Sequence, residues 1–214
     1  LDTVFPLINY SSNADDNELN VSRSWIFVNV TATEINEANI TFRLFNASDS
    51  LLNGTTFSNG QRSINWTDLS NGTYKFNVTI VDYANMKNST STRRITLDTA
   101  IPNATFLSPS NATFTNSSQN LSVNLSDNIL LKNATIVIIN SSNSEVNRTS
   151  FILSVTEKTL GFVYTFLYDG LFKWFTTVVD FAGNVFTSEN RTVTFDATTP
   201  LLFGDTYLSG NSNT

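Results

Sequence analysis

The chain has 214 residues, with 12 basic and 18 acidic side chains, a net charge of −6 and a pI near 4.5. This acidic balance argues against a nucleic-acid partner and leaves no basic stripe for anionic lipid, because both ligands are bound by positive patches. The sequence contains no Cys and no His, which excludes a disulfide framework, thiol nucleophiles, Ser-His-Asp triads and His-ligated zinc. No apolar run reaches the roughly 18 residues of a membrane-spanning helix.

Alternating apolar and polar residues predict short β-strands from the beginning of the chain, with no helical periodicity. In the first hundred residues these strands are predicted at 7–10, 21–32, 39–46, 55–57 and 61–66. The second of them places Ile26, Val28 and Val30 on one face, which predicts a buried side. The dipeptide Asn53-Gly54 predicts a hairpin turn.

A longer segment occurs twice, at residues 72–102 and 170–200, with a constant offset of 98 positions. Each copy predicts two antiparallel strands joined by a turn after an Asp, followed by a linker that ends in Pro. The repeat predicts two domains, at residues 1–98 and 99–199, each of a size that buries its own core. The first copy, Asp82-Tyr83-Ala84-Asn85, lacks the Gly that the second copy has at Gly183, which predicts a turn that is one residue shorter.

The second domain repeats the strand order of the first with small shifts, since residues 133–140 match 39–46 at an offset of 94. Residues 145–165 diverge most, and they are interpreted either as core strands or as an extra hairpin or interface. Residues 200–214 are expected to be the start of a further repeat or a strand that pairs with a neighbouring subunit. The opening LDTVFP matches LDTAIP at 97–102, so the chain is expected to begin at a domain junction.

The string D-x-A-G-N at 180–184 and the string F-D-A-T-T-P at 195–200 resemble the ends of immunoglobulin-like repeats in bacterial and archaeal surface proteins. The Asn-rich N-G-T-Y-K-F-N-V-T at 71–79 is most similar to archaeal versions, which occur in S-layer proteins, stalks and adhesins. The resemblance implies an all-β fold of two tandem Ig-like antiparallel β-sandwiches with a C-terminal extra strand. It also implies a location outside the cell, at the cell surface.

Asn, Ser and Thr are abundant, with 29, 25 and 30 residues, and 19 of the Asn lie in Asn-x-Ser/Thr sequons. Chance would give about seven, since 55 of 214 residues are Ser or Thr. Strand alternation explains part of the excess, but not the sequons in turns, such as Asn71-Gly72-Thr73. The pattern predicts dense N-glycosylation. The predicted sites are Asn9, Asn20, Asn29, Asn39, Asn46, Asn53, Asn65, Asn71, Asn77, Asn88, Asn103, Asn111, Asn116, Asn120, Asn124, Asn133, Asn140, Asn147 and Asn190.

Four Asp residues recur at turns and domain junctions: Asp82, Asp98, Asp180 and Asp196. Their oxygens suit calcium, although such side chains also cap their own turns, and we consider both interpretations. The loop at residues 13–18 has oxygen ligands at alternate positions but lacks the Gly and the spaced Glu of an EF-hand loop. Apart from covalent N-glycans and calcium at these positions, no cofactor is expected.

Large aromatic residues are interpreted either as a sugar-stacking face or as core side chains, with the alternating register favouring the core. These residues are Trp25, Trp66, Tyr74, Phe172 and Trp174.

The sequence therefore predicts a non-enzymatic, extracellular structural repeat protein that self-associates into an array, stalk or filament. Strand addition through residues 201–214 is one expected mode of association. A carboxylate pair could hydrolyse glycosides in principle, but the prominent acids are explained as features of the repeat. The main alternative is an adhesin that recognises glycan or protein on another cell through its loops or through residues 145–165. A third class, an accessory domain of a secreted hydrolase, would need catalytic sequence outside this chain.

Overall fold

The computed structural model describes residues 2–200, which form sixteen β-strands and no helix. The first nine strands are β1 (Leu7–Tyr10), β2 (Leu19–Val21), β3 (Ile26–Thr33), β4 (Glu37–Asn46), β5 (Leu51–Phe57), β6 (Ser63–Trp66), β7 (Gly72–Asp82), β8 (Lys87–Ser89) and β9 (Arg93–Leu97). The other seven are β10 (Asn103–Ser108), β11 (Thr113–Thr115), β12 (Gln119–Asn140), β13 (Glu145–Tyr164), β14 (Gly170–Asp180), β15 (Val185–Thr187) and β16 (Arg191–Phe195). Accordingly, the described residues contain no helix of the length and apolarity that a membrane crossing requires.

Residues 2–98, here the first half, form a sandwich of two sheets. One sheet has the order β1-β3-β6, and the other has the order β2-β9-β7-β4-β5 with β8 paired to β7. Every pairing is antiparallel except that of β2 with β9, which is parallel. The inward residues of both sheets, such as Val28, Phe42 and Phe76, are fully buried in one apolar cluster.

Residues 99–200, here the second half, repeat this order with fewer and longer strands. β10, β11, β14, β15 and β16 take the places of β1, β2, β7, β8 and β9, including the parallel pairing of β11 with β16. β12 runs through the positions of both β3 and β4, and it pairs first with β10 and then with β14. β13 likewise replaces β5 and β6 and pairs with β12 along its length. The two sheets are thus joined by continuous strands.

Buried apolar side chains form two separate clusters, one within residues 8–97 and one within residues 121–193. Each cluster lies inside one sandwich of antiparallel strands, because alternate residues of every long strand point inward. These observations confirm the predicted all-β, Ig-like β-sandwich fold. The division at residues 98 and 99 remains a prediction, and the expected C-terminal strand at 201–214 lies outside the described residues.

The structure confirms the first strand at residues 7–10 and the buried face of Ile26, Val28 and Val30. The predicted strand at 21–32 is wrong as one element, since β2 ends at residue 21 and β3 begins at residue 26.

The predicted turn at Asn53-Gly54 is also wrong, because both residues lie inside β5. The hairpin instead turns at residues 47–50, where the Asn46 Oδ1 atom accepts hydrogen bonds from the backbone N–H groups of Ser48 and Ser50. An Asn side chain that binds its own turn replaces the Asn-Gly signal.

The turn at residues 82–86 has the same length as the turn at 180–184, which corrects the prediction of a shorter one. The Asp82 N–H donates to Met86 O at 3.0 Å and the Asp180 N–H donates to Asn184 O at 3.2 Å. Asn85 adopts φ +68° where Gly183 adopts φ +92°. Asn tolerates this left-handed conformation, so loss of the Gly does not shorten the turn.

Residues 145–165 form no extra hairpin of their own, because they lie in the single strand β13, which pairs with β12. The core interpretation holds for most of their apolar side chains: Leu153 and Leu160 are buried, and Val146, Phe151, Phe162 and Tyr164 pack against the same cluster. The core interpretation of the aromatic residues is confirmed for Trp66, Tyr74, Phe172 and Trp174. Trp25 differs, being 39% exposed with the Arg23 guanidinium 3.7 Å from its ring centre.

Candidate functional site

Three carboxylates meet where the first half joins the second, and they are here called the junction cluster: Asp98, Asp127 and Asp180. One oxygen of each lies within 4.8 Å of the others. Asp98 follows β9, with its N–H bound to Val21 O at 3.0 Å. Asp127 lies in β12 between the paired residues Ser126 and Leu131, where the strand register shifts. Asp180 ends β14, so the strand order itself brings the three together.

Amide side chains surround the junction cluster and link the two halves. Asn71 of the first half and Asn128 of the second both donate from Nδ2 to Asp98 Oδ1, at 3.0 and 3.1 Å. Asn184 donates from Nδ2 to the backbone oxygen of Asp98 at 2.9 Å and to Asp180 Oδ2 at 2.6 Å. The chain leaving the first half is therefore held by groups on both sides of the junction.

The junction cluster concentrates negative charge in a buried place, since the exposed fraction is 3% for Asp98 and 0% for Asp180. Burial raises the pKa of Asp98 above its ordinary 3.8; hydrogen bonds from Ala100 and Asn128 lower it, and the charges of Asp127 and Asp180 raise it. Two carboxylates at such a separation repel by about 3 kcal/mol at an effective dielectric constant of 20. The arrangement therefore costs free energy that a positive charge would offset.

A second group of three acids, here called the first-half cluster, lies at the corresponding end of the first half: Asp2, Glu34 and Asp82. One oxygen of each again lies within 4.8 Å of the others. Residues 2, 4 and 33–36 also line a surface pocket of about 190 Å³. Asp2 is more exposed than Asp98, and a hydrogen bond from the Val4 backbone N–H lowers the pKa of its carboxyl.

The two clusters occupy equivalent positions in the repeat. Asp82 and Asp180 differ by 98 positions, and Asp2 and Asp98 both follow Leu in the string Leu-Asp-Thr. The third acid of each cluster, Glu34 or Asp127, lies in the same connection, between β3 and β4 or at the register shift inside β12. The same set of side chains is thus assembled twice.

Of the four predicted Asp residues, the structure brings Asp98 and Asp180 together and places Asp82 in the first-half cluster. Asp196 belongs to neither cluster, and its Oδ1 accepts a hydrogen bond from the Thr198 N–H, as a turn cap does. Sequence reasoning missed Asp2, Glu34 and Asp127. The repeated Leu-Asp-Thr was the signal for Asp2, whereas no motif marks the loop acids.

Each cluster contains a buried carboxylate oxygen that has no hydrogen-bond partner within residues 2–200. These atoms are Asp82 Oδ2, on a side chain that is 2% exposed, and Asp127 Oδ1. The other oxygen of each is used, because Asp82 Oδ1 binds the Met86 N–H and Asp127 Oδ2 binds two backbone N–H groups. Buried polar atoms normally have partners, so one such oxygen in each cluster needs an explanation.

No Lys or Arg forms an ion pair with either cluster among the described residues, although six ion pairs occur elsewhere. The loop at residues 13–18 is the opposite case, since three of its acids face arginines. The pairs are Asp15 with Arg23, Asp16 with Arg93 and Glu18 with Arg94. The acids of this loop therefore have positive partners, which the two clusters lack among the described residues.

The sequon Asn residues lie on the surface, and none of the 19 has a buried side chain. Eleven of them are exposed: Asn9, Asn20, Asn53, Asn65, Asn71, Asn88, Asn103, Asn111, Asn116, Asn120 and Asn190. Between them, the outer faces of the sheets carry cross-strand hydroxyl pairs, such as Thr41 with Thr56 at 2.9 Å and Thr135 with Ser150 at 2.9 Å. The exterior is therefore solvated mainly by uncharged polar groups.

No protein-family model and no curated protein sequence matches this chain. Among solved structures, fibronectin(III)-like modules of Clostridium thermocellum CbhA match 88% of this chain and 93% of their own, at 10% identity and a TM-score of 0.40. Chicken CNTN1 FN1–FN3 domains match 89% of this chain and 66% of theirs, at 10% identity and a TM-score of 0.39. The BSP domain of a biofilm associated protein matches 92% of this chain and 30% of its own, at 18% identity and a TM-score of 0.28. All three scores are low, so the fold assignment rests on the strand order described above.

Proposed function

We propose that the chain is a non-enzymatic, N-glycosylated structural module of an extracellular array, stalk or filament, of the kind found on archaeal cell surfaces. The observation that carries this proposal is the uncharged polar exterior, on which all 19 sequon Asn residues are accessible. Only 14% of the residues are charged. A covering of sugars would hydrate this surface and hinder pairing between exposed sheet edges.

Local geometry at several sequons is compatible with a glycan on Nδ2. Asn46 and Asn140 occupy matching hairpins, and each uses Oδ1 to accept two backbone N–H groups. This leaves the Nδ2 atom free to carry the sugar. At Asn120, a Cβ on Gly161 of the neighbouring strand would lie 3.0 Å from Asn120 Oδ1, so the Gly leaves room for that side chain.

The junction between the halves supports a spacer role. Pro102 is buried there, and Ser22 of the first half donates a hydrogen bond to Asn184 of the second. A short connection with contacts on both sides limits bending, and repetition of such units sets length. Strand addition through residues 201–214 falls outside the described residues and stays a prediction.

Mass spectrometry of glycopeptides from the natively produced protein tests the proposal. We expect a glycan mass on most of the eleven exposed sequon Asn residues, and electron microscopy of the same material should show continuous filaments or a lattice. Unmodified Asn at these positions, or isolated two-domain particles without side density, would overturn it. Asn128 and Asn143, which lie outside sequons, are the internal controls and are expected to be unmodified.

An adhesin is the second candidate, because β13 presents an unusual edge. β13 pairs only with β12 in the described part of the chain, so its other edge is open to a partner strand. It also exposes apolar side chains, with Ile152 95% and Val163 67% exposed. An open edge with exposed apolar residues is a template for pairing with another chain.

Charge placed on this edge separates the two functions. In the double variant Ile152→Lys and Val163→Lys, lost cell adhesion with intact assembly would support the adhesin. Lost assembly would support the structural function and identify β13 as the contact. The control is Phe114→Lys, on β11, where the side chain is 79% exposed but the strand is different.

A further inference from the structure

The twin acidic clusters combine three features that together indicate a ligand. Each has three carboxylates within 4.8 Å, each has a buried oxygen without a partner in residues 2–200, and neither has an ion pair with Lys or Arg there. In the first-half cluster the orphaned atom belongs to Asp82, a side chain that is 2% exposed. A bound cation would use this oxygen and offset the repulsion among the three charges.

The chemistry of the donors narrows the class of cation. All are hard oxygen atoms, and the chain has neither Cys nor His to attract a soft transition metal. Ca²⁺ accepts six to eight oxygen ligands in flexible geometry, whereas Mg²⁺ demands a compact octahedron. Three acids on three different chain segments fit the flexible geometry of Ca²⁺ better than the compact octahedron of Mg²⁺.

We propose that each cluster binds one Ca²⁺ ion, through Asp2, Glu34 and Asp82 in the first half and through Asp98, Asp127 and Asp180 at the junction. This assignment does not depend on glycosylation or assembly.

The two sites have different consequences. The first-half cluster ties the segment before β1 to the β3–β4 connection and the end of β7, so its ion stabilises one sandwich. The junction cluster joins Asp98, which follows the last strand of the first half, to Asp127 and Asp180 of the second. Its ion therefore fixes the orientation of one half relative to the other, as well as adding stability.

Calorimetric titration of the chelator-treated chain with CaCl₂, and separately with MgCl₂, is the first experiment. We expect two Ca²⁺ ions per chain, with weaker binding of Mg²⁺. Thermal unfolding should shift upward by roughly 10 °C when free Ca²⁺ is about 100 times Kd, because the ion binds only the folded state. Absence of both binding heat and a shift in Tm at millimolar Ca²⁺ would overturn the proposal.

Matched variants assign the two sites. Glu34→Gln and Asp127→Asn change the partly exposed acid of each cluster and keep its backbone hydrogen-bond acceptor, so both proteins are expected to fold. Each should bind one Ca²⁺, and the double variant should bind none. Asp196→Asn, outside both clusters, should still bind two. Retention of two sites in the double variant would contradict the assignment.

Small-angle scattering supplies a readout specific to the junction. Ca²⁺ should narrow the distribution of distances within the molecule for the unaltered chain and for Glu34→Gln, but not for Asp127→Asn. Circular dichroism checks that each variant retains its strands. If Asp127→Asn responded to Ca²⁺ like the unaltered chain, the junction site would be disproved even with two ions bound elsewhere.

Discussion

The two halves share one strand order but differ in how their sheets are connected. In the first half β3 ends before β4 begins, and β5 ends before β6, so the two sheets are separate. In the second half β12 and β13 run through both sheets as a continuous hairpin of 22 and 20 residues. The register of β12 still shifts between Ser126 and Leu131, at the place of the β3–β4 break.

Both halves therefore change direction at the same place in the strand order, although the strand is interrupted there only in the first half. In both halves one acid of the acidic cluster lies at this bend: Glu34 in the first half and Asp127 in the second. The chain must pass from one sheet to the other at this place to close the sandwich around its core. A loop achieves this in the first half and an irregularity in pairing achieves it in the second.

The largest expected effect comes from substitutions in the two cores, which should destabilise one half without the other. Trp174 and Phe76 occupy equivalent positions and are 1% and 0% exposed. Replacing either by Ala should lower the free energy of unfolding by about 3–5 kcal/mol, because it removes a large buried ring and leaves a cavity. Denaturant unfolding followed by two-dimensional NMR should show that each variant destabilises mainly its own half. Equal loss of signals from both halves would contradict independent cores.

A smaller effect tests which face of β13 is buried. Leu153 is 7% exposed and its neighbour Ile152 is 95% exposed. We expect Leu153→Ala to cost about 2–5 kcal/mol of unfolding free energy and Ile152→Ala to change it by less than about 0.5 kcal/mol. Chemical denaturation measures both. Similar costs for the two neighbours would mean that the long strand does not alternate as described.

The matching turns give the next comparison. Gly183, at φ +92°, and Asn85, at φ +68°, hold the same left-handed position. Gly183→Ala should cost about 1–2 kcal/mol, because a Cβ disfavours this conformation. Asn85→Gly serves as the control and should be close to neutral or slightly stabilising. Thermal unfolding of the pair measures the difference, and a neutral Gly183→Ala would contradict the equivalence of the turns.

The smallest expected effect is the pH dependence contributed by the Asp169 carboxyl, which has no titratable counterpart in the first half. Asp169 accepts hydrogen bonds from the Ala197 N–H and from Thr198, and these lower the pKa of its carboxyl below 3.8. The stabilisation is complete above 3.8 and is lost as pH falls through the lower, folded-state pKa. Asn71 makes the corresponding bond to Thr99 in the first half and does not titrate. NMR titration of the Asp169 carboxyl carbon should give a pKa below 3.8; a value above it would contradict the bond.

Much of the fold follows from local pattern in the sequence. Strict alternation in the strands that contain Ile26 and Phe76 indicates a buried face, and the 98-residue offset indicates a repeated unit. The merged strands did not follow, since alternation at residues 145–165 indicates a strand but not the partner along which it pairs. The pairing of β13 depends on β12, and the C-terminal part of β13 pairs with residues of β12 that are distant in sequence.

The acidic clusters were predictable only in part. Asp98 and Asp180 recur in the repeat, so the sequence indicated them, but it could not show that strand order brings them together. Glu34 and Asp127 occur in connections of different local sequence, where no motif survives. Asp196 shows the opposite error, because it recurs in the repeat but belongs to neither cluster.

The parallel pairing of β2 with β9, repeated as β11 with β16, has a consequence when the chain is pulled from its two ends. Tension then draws the paired strands in opposite directions along their length. Their hydrogen bonds are loaded together in shear rather than opened one after another. In each half this parallel strand pair therefore resists extension, and its hydrogen bonds must break together before the rest of the sandwich unfolds.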